Sequence, residues 1–112
     1  MAHPIRPESY QSINNFYTTT VYEKGAEVIR MLQTLLGREV FRQGFDEYIR
    51  TNDGHAVTCE AFLEAMSKAS GRDLSQFRRW YSQAGTPRVV VRSRWDEENH
   101  RLTLLVDQST PA

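Results

Sequence analysis

Along most of the chain apolar residues recur at three- and four-residue spacing, and after Pro87 they recur at every second position. The first periodic stretch sets Val21, Gly25, Val28, Ile29, Leu32, Leu35 and Leu36 on a wide arc, opposite a polar stripe of Glu23, Glu27, Arg30 and Thr34. That pattern predicts a largely buried helix ending near Gly37. Thr20 and Glu23 have the spacing of a capping box, in which the threonine hydroxyl takes a backbone N–H and the glutamate reaches back, so the helix is expected to start there. Val40, Phe41, Phe45, Tyr48 and Ile49 predict a second helix between Gly37 and Arg50, closed by the turn Asn52-Asp53-Gly54. Thr58 is placed to cap a third, with Val57 set to staple onto Phe62 and with Leu63, Ala65, Met66 and Ala69 leading to a stop at Gly71. Asp73 opens a short fourth helix with Phe77, Trp80 and Tyr81 on its inner face, ending at Gly85 and Pro87.

The two ends differ from this helical middle. Pro4 and Pro7 break the first segment, and Tyr10 to Thr19 follows neither period, which predicts an extended or turn-rich arm. Beyond Pro87, Val89, Val91, Ser93 and Trp95 alternate with Arg88, Val90, Arg92 and Arg94, and Leu102, Leu104 and Val106 alternate again after the polar stretch 96–100. A β-hairpin follows from that pattern. Two strands alone are marginal in water, so the hairpin needs the helices or an absent sheet to cover its apolar face. The expected fold is therefore mainly α, about four helices followed by a C-terminal β-hairpin, with a change of domain at Pro87.

Length and charge narrow the function. A chain of 112 residues allows one modest core, and 14 Lys+Arg against 14 Asp+Glu give no net charge with which to seek phosphates. Nucleic acid is an unfavoured partner. Apolar residues make up 39% of the chain, a lean share that also suits a piece of a larger protein. The single cysteine, Cys59, cannot form an internal disulfide. No apolar run reaches the ~18–20 residues of a membrane span, and the first residues have no signal-peptide pattern, so a cytoplasmic location without membrane contact is expected.

Few residues are placed for chemistry. His3, His55 and His100 fall in the arm, a turn and the hairpin loop, without the i+4 pairing of a helical metal site, and read as solvated. Cys59 lies at a helix start, where the dipole favours a thiolate, but no base stands beside it. No nucleophile elbow, phosphate loop or dinucleotide fingerprint is present. Tyr22 differs, because the first turn of its helix leaves backbone N–H groups unpaired and favours negative charge. A phenol there can donate to an anion, and Tyr17, five residues earlier, could face the same cleft. From spacing alone Tyr22 can equally pack inward on Gly25 and Ala26. Gly25 itself costs up to ~1 kcal/mol inside a helix, so something is expected to lie against it.

At Val21-Tyr22-Glu23-Lys24-Gly25-Ala26 the sequence resembles the bacterial branch of the aminopeptidase N family of zinc metallopeptidases. Met1-Ala2-His3-Pro4-Ile5-Arg6-Pro7, Asn14-Asn15-Phe16-Tyr17 and the segment Phe77 to Pro87 are similar to further family segments in the same order. The resemblance implies that residues 1–87 are the C-terminal helical part of a thermolysin-like catalytic domain and residues 88–112 the first strands of a following β-sandwich domain. It implies a catalytic role for Tyr22, hydrogen-bonding the oxyanion that forms when zinc-activated water attacks the scissile carbonyl. It implies that Tyr17 lines the pocket for the first side chain of the substrate and that Asn14 approaches bound substrate. A phenol stays protonated near neutral pH and donates without becoming a competing base, which suits that task.

The family's H-E-x-x-H zinc helix, its later glutamate ligand and its G-x-M-E-N loop are absent from the 112 residues. The chain is thus expected to be a segment of a longer zinc aminopeptidase acting on peptides with a free N-terminus, inactive by itself, with zinc ligands supplied elsewhere. Apolar faces that once met the zinc-binding half leave self-association of the segment open. The rival reading is a stand-alone helical interaction module that docks a partner through Phe77, Trp80 and Tyr81.

Overall fold

The computed structural model describes residues 2–110; Met1 of the first resemblance block and the final two residues of the 88–112 segment lie outside them. Four α-helices follow one another, α1 Gly25–Leu36, α2 Arg38–Asn52, α3 Cys59–Ser70 and α4 Arg79–Ser82, and then an antiparallel hairpin of β1 Arg88–Asp96 and β2 Arg101–Ser109. The segment before α1 is irregular except for a 3-10 turn at Ile13–Phe16 and a π-helical turn at Thr20–Lys24 that runs into α1. Helix stops follow the glycines: Gly37 has φ +84 and Gly71 φ +65, backbone that side chains with a Cβ rarely adopt. α2 runs two residues past Arg50 before its turn.

Val28, Leu32 and Leu36 of α1 meet Leu63 and Met66 of α3, with Leu74, Phe77 and Tyr81 closing the core from the loop and α4. Ile5 of the arm is buried in the same cluster. The apolar arc of α1 is narrower than its spacing suggests, since Leu35 is exposed, and on α2 Phe45 and Ile49 are exposed as well. The face of Phe77, Trp80 and Tyr81 that a docking module would present is turned into this core: Phe77 and Tyr81 are buried and Trp80 packs against them.

α2 approaches α3 through Gly44. A Cβ built on Gly44 would stand 2.7 Å from Met66 Sδ and 3.2 Å from Met66 Cα, and Met66 is fully buried, so the helices touch where α2 has no side chain. Gly25 is different. Its nearest neighbour is Ile5 Cγ2 at 3.7 Å from the position of a Cβ, an ordinary contact with room for a methyl group.

Capping departs from the sequence pattern. Thr20 makes no side-chain cap bond, because the backbone is already helical at Thr19 and Thr20 lies inside the helix, where Thr20–Lys24 form a π-helical turn. The Val21 N–H is taken instead by the Thr18 hydroxyl at 3.3 Å. Thr58 has the extended backbone of an N-cap without the side-chain bond. Asp73 does act locally, its Oδ1 accepting from the Ser75 N–H at 2.9 Å.

In the hairpin Val91 pairs with Val106, Ser93 with Leu104 and Trp95 with Leu102, so these side chains share one face. All of them except Ser93 are large apolar groups more than half exposed. The turn is held by Asp96, whose carboxylate accepts from Asn99 Nδ2 at 2.8 Å and from two backbone N–H groups. The molecule measures 59 × 35 × 19 Å with a radius of gyration of 17.7 Å. A compact chain of this length has about 13 Å, and a hairpin standing off the helical core accounts for such a shape.

Two predictions test this packing. Gly44→Ala is expected to destabilise the chain by about 1–3 kcal/mol through overpacking against Met66, whereas Gly25→Ala is neutral or stabilising by up to ~1 kcal/mol through helix propensity. Urea denaturation of both variants checks the contrast, and equal effects would contradict it. Burial pushes the Tyr81 hydroxyl up from 10.0 to about 12, with Cys59 adding in the same direction. A folded value above the unfolded one favours the neutral phenol in the folded state. Its contribution is therefore intact below pH 10.0 and is lost as pH rises through about 12. Stability is expected to fall on the order of 2 kcal/mol over that window, with Tyr81→Phe flattening the fall; an unchanged slope in the variant would refute it.

Candidate active-site segment

The candidate residues cluster where the arm turns into α1. A helix start leaves N–H groups that must find partners outside the helix. Here the Thr18 hydroxyl supplies one, accepting from the Val21 N–H, and the Thr18 carbonyl accepts the first helical bond, from the Tyr22 N–H at 3.1 Å. The π-helical turn then carries Tyr22, and the Gly25 N–H reaches back to the Thr20 and Tyr22 carbonyls. Turns of this kind, inserted at a helix, are frequent at functional sites.

Tyr22 does not pack inward. It is 61% exposed, and its ring centroid lies 6.1 Å from that of Tyr17, itself 56% exposed. The two phenols thus stand together on an open surface. Asn14 belongs to the preceding 3-10 turn and is exposed; its carbonyl accepts from the Tyr17 N–H at 3.4 Å, which ties it to the pair through the backbone. Phe16 and Tyr10 extend the row, with centroids 5.7 Å from Tyr17 to Phe16 and 5.8 Å from Phe16 to Tyr10. Tyr10 carried no signal in the sequence, because the arm has no period to place it on a face.

Behind this surface the segment is anchored to the rest of the chain. Lys24 Nζ donates to the carbonyls of Gln83 at 3.1 Å and Gly85 at 3.3 Å, joining the Tyr22 turn to the segment that leads into β1. The Arg6 N–H donates to the Tyr81 carbonyl at 3.0 Å, and the Arg6 guanidinium bonds the Glu60 carboxylate and holds it below the usual carboxylate range. A groove of about 420 Å³ opens between Lys24, Glu27, Met31, Trp80 and Pro87. Tyr22, Tyr17 and Asn14 do not line it, so this groove and the tyrosine surface are separate features.

The remaining candidates sort clearly. His3 is not a solvated loop residue: its ring is half-buried and bonded to Thr18 Oγ1 at 2.7 Å and to the Pro4 carbonyl at 2.7 Å. Ile5, two residues on, is buried in the core and anchors the arm that carries this ring. His55 and His100 are exposed. Burial pushes the Cys59 thiol up, against the pull of the helix start and of Arg6. Among the described residues no group of three or more His, Cys, Asp or Glu could hold a metal ion, and no helix is long and apolar enough to cross a membrane.

Comparison with known proteins places these residues in a family. The model of the peptidase family M1 domain matches residues 1–81. Aminopeptidase N of Haemophilus influenzae is 60% identical over 111 residues, 99% of this chain and 13% of that protein. Aminopeptidase N of Escherichia coli is 57% identical over 112 residues, again 13% of its length. Among solved structures, Legionella pneumophila aminopeptidase A in complex with aspartic acid superposes with a TM-score of 0.88 at 31% identity, over 95% of this chain and 12% of that one. The chain spans 13% of the length of these curated relatives. With its helical part matched by the family model and its whole length matched by such relatives, the chain belongs to peptidase family M1.

Proposed function

We propose that this chain is a segment of a zinc aminopeptidase that removes N-terminal residues from peptides, with residues 1–87 in its catalytic domain and residues 88–112 beginning a β-sandwich domain. The observation that carries the reading is Tyr22, exposed beside Tyr17 at a helix start, on a chain 60% identical to an aminopeptidase N. The family match ending at residue 81, the change of period at Pro87 and the uncovered hairpin face support the domain division.

The metal is not held by these residues: the sequence has no H-E-x-x-H, and the described residues offer no ligand group. When bound by polypeptide outside this chain, zinc supplies activated water and a polarised carbonyl. What this chain contributes is a donor. As water adds to the scissile carbonyl, that oxygen gains negative charge, and the Tyr22 hydroxyl donates a hydrogen bond to it. The bond is worth more to the charged oxygen than to the neutral carbonyl of the substrate, so it lowers the barrier instead of merely tightening binding. Tyr17, on the same surface, walls the space for the first side chain of the substrate, and Asn14 meets bound substrate from the preceding turn.

In the complete enzyme, Tyr22→Phe is expected to lower turnover by about a hundredfold or more while bound zinc is unchanged. The assay is hydrolysis of an aminoacyl nitroanilide alongside metal analysis. A loss below about fivefold would contradict the assignment. The 112-residue chain alone is expected to show neither turnover nor stoichiometric zinc, and finding both would overthrow the reading.

A further inference from the structure

His3 and Thr18 have no part in the chemistry described so far, yet they hold the turn on which Tyr22 stands. The Pro4 carbonyl can only accept, so the His3 Nδ1 at 2.7 Å from it carries the proton, and in the neutral ring Nε2 is the acceptor. Thr18 Oγ1, 2.7 Å from Nε2, therefore donates to the ring. With its hydrogen committed there, the hydroxyl presents a lone pair to the Val21 N–H at 3.3 Å, while the Thr18 carbonyl takes the Tyr22 N–H at 3.1 Å. Two successive amides of the Tyr22 turn thus end on one residue, whose hydroxyl direction is set by a ring from the distant arm. Thr18 also directly follows Tyr17, so it sits at the hinge between the two phenols.

We propose that Thr18, oriented by His3, is a positioning residue that aims the Tyr22 hydroxyl at the reacting carbonyl oxygen. The proposal rests on the oxyanion role given to Tyr22 above. Its physical basis is leverage. The phenol hydroxyl lies at the far end of a long rigid side chain, so a small tilt of the turn moves it further than the backbone itself. Misplacement of a catalytic group by ~1 Å can cost about a hundredfold in rate.

The test uses the complete enzyme. Thr18→Val keeps the shape but removes the hydroxyl, and is expected to lower kcat about tenfold with KM within about twofold. Thr18→Ser restores the hydroxyl and is expected to bring kcat back. His3→Ala, which strips the acceptor without touching the turn, is expected to lower kcat about threefold. In a Tyr22→Phe background Thr18→Val is expected to cost nothing further, because the group it aims is gone. Thr18→Val with wild-type kcat, or with an undiminished loss on top of Tyr22→Phe, overturns the positioning role while leaving the tyrosine assignment standing. Tyr22→Phe with wild-type turnover removes that assignment and the proposal with it. If Thr18→Val does not fold, His3→Ala decides, and an unchanged kcat overturns the proposal.

Discussion

The helical turn that carries Tyr22 into α1 cannot satisfy its own backbone, and everything proposed for this chain depends on how that deficit is met. Four N–H groups at a helix start need partners from outside the helix. The Thr18 hydroxyl takes the one at Val21 while its carbonyl accepts the first helical bond from Tyr22, and an arm pinned by Ile5 in the core, by Arg6 on Glu60 and by the Arg6 N–H on Tyr81 brings His3 to the Thr18 hydroxyl. Lys24 ties the far side of the same turn to the segment before β1. Tyr22 is exposed and yet stands on backbone fixed from two directions. That combination suits a group that must reach a substrate without searching for it.

Much of this architecture is legible in the residues themselves. Spacing of Val28, Leu32 and Leu36, and of Leu63 and Met66, reports the core faces because a helix returns to the same side every three or four residues. Gly37 and Gly71 mark helix ends because only positive φ lets the chain turn away there. Alternation from Val89 onward reports strands for the equivalent reason. What local pattern does not carry is contact at long range. Thr20 matches a capping box in sequence, but the backbone is already helical at Thr19, so the capping bond falls to Thr18. The close approach at Gly44 depends on Met66, twenty-two positions away. Spacing likewise leaves open whether Tyr22 faces in or out, because its helical turn is set by contacts of the arm that lie far apart in sequence.

The exposed apolar groups follow a plan of their own. The Val91, Trp95, Leu102, Leu104 and Val106 face of the hairpin, with Leu35 of α1 and Phe45 and Ile49 of α2, is more apolar surface than a small self-contained domain ordinarily leaves in water. The chain spans 13% of the length of the curated relatives it matches. A free-standing hairpin has little stability of its own, so the proposed β-sandwich domain would supply the cover that its apolar face lacks.

A hydrogen bond that is stronger to the charged oxygen than to the neutral carbonyl has a signature that activity alone does not give. The most direct measurement is the affinity of a tetrahedral anionic phosphinate mimic of the hydrolysed peptide bond, compared with that of an unreactive peptide, in the complete enzyme and in Tyr22→Phe. Affinity for the mimic should fall by about the same factor as kcat/KM, while affinity for the peptide stays within about twofold. Unchanged binding of the mimic would contradict the role of the Tyr22 hydroxyl.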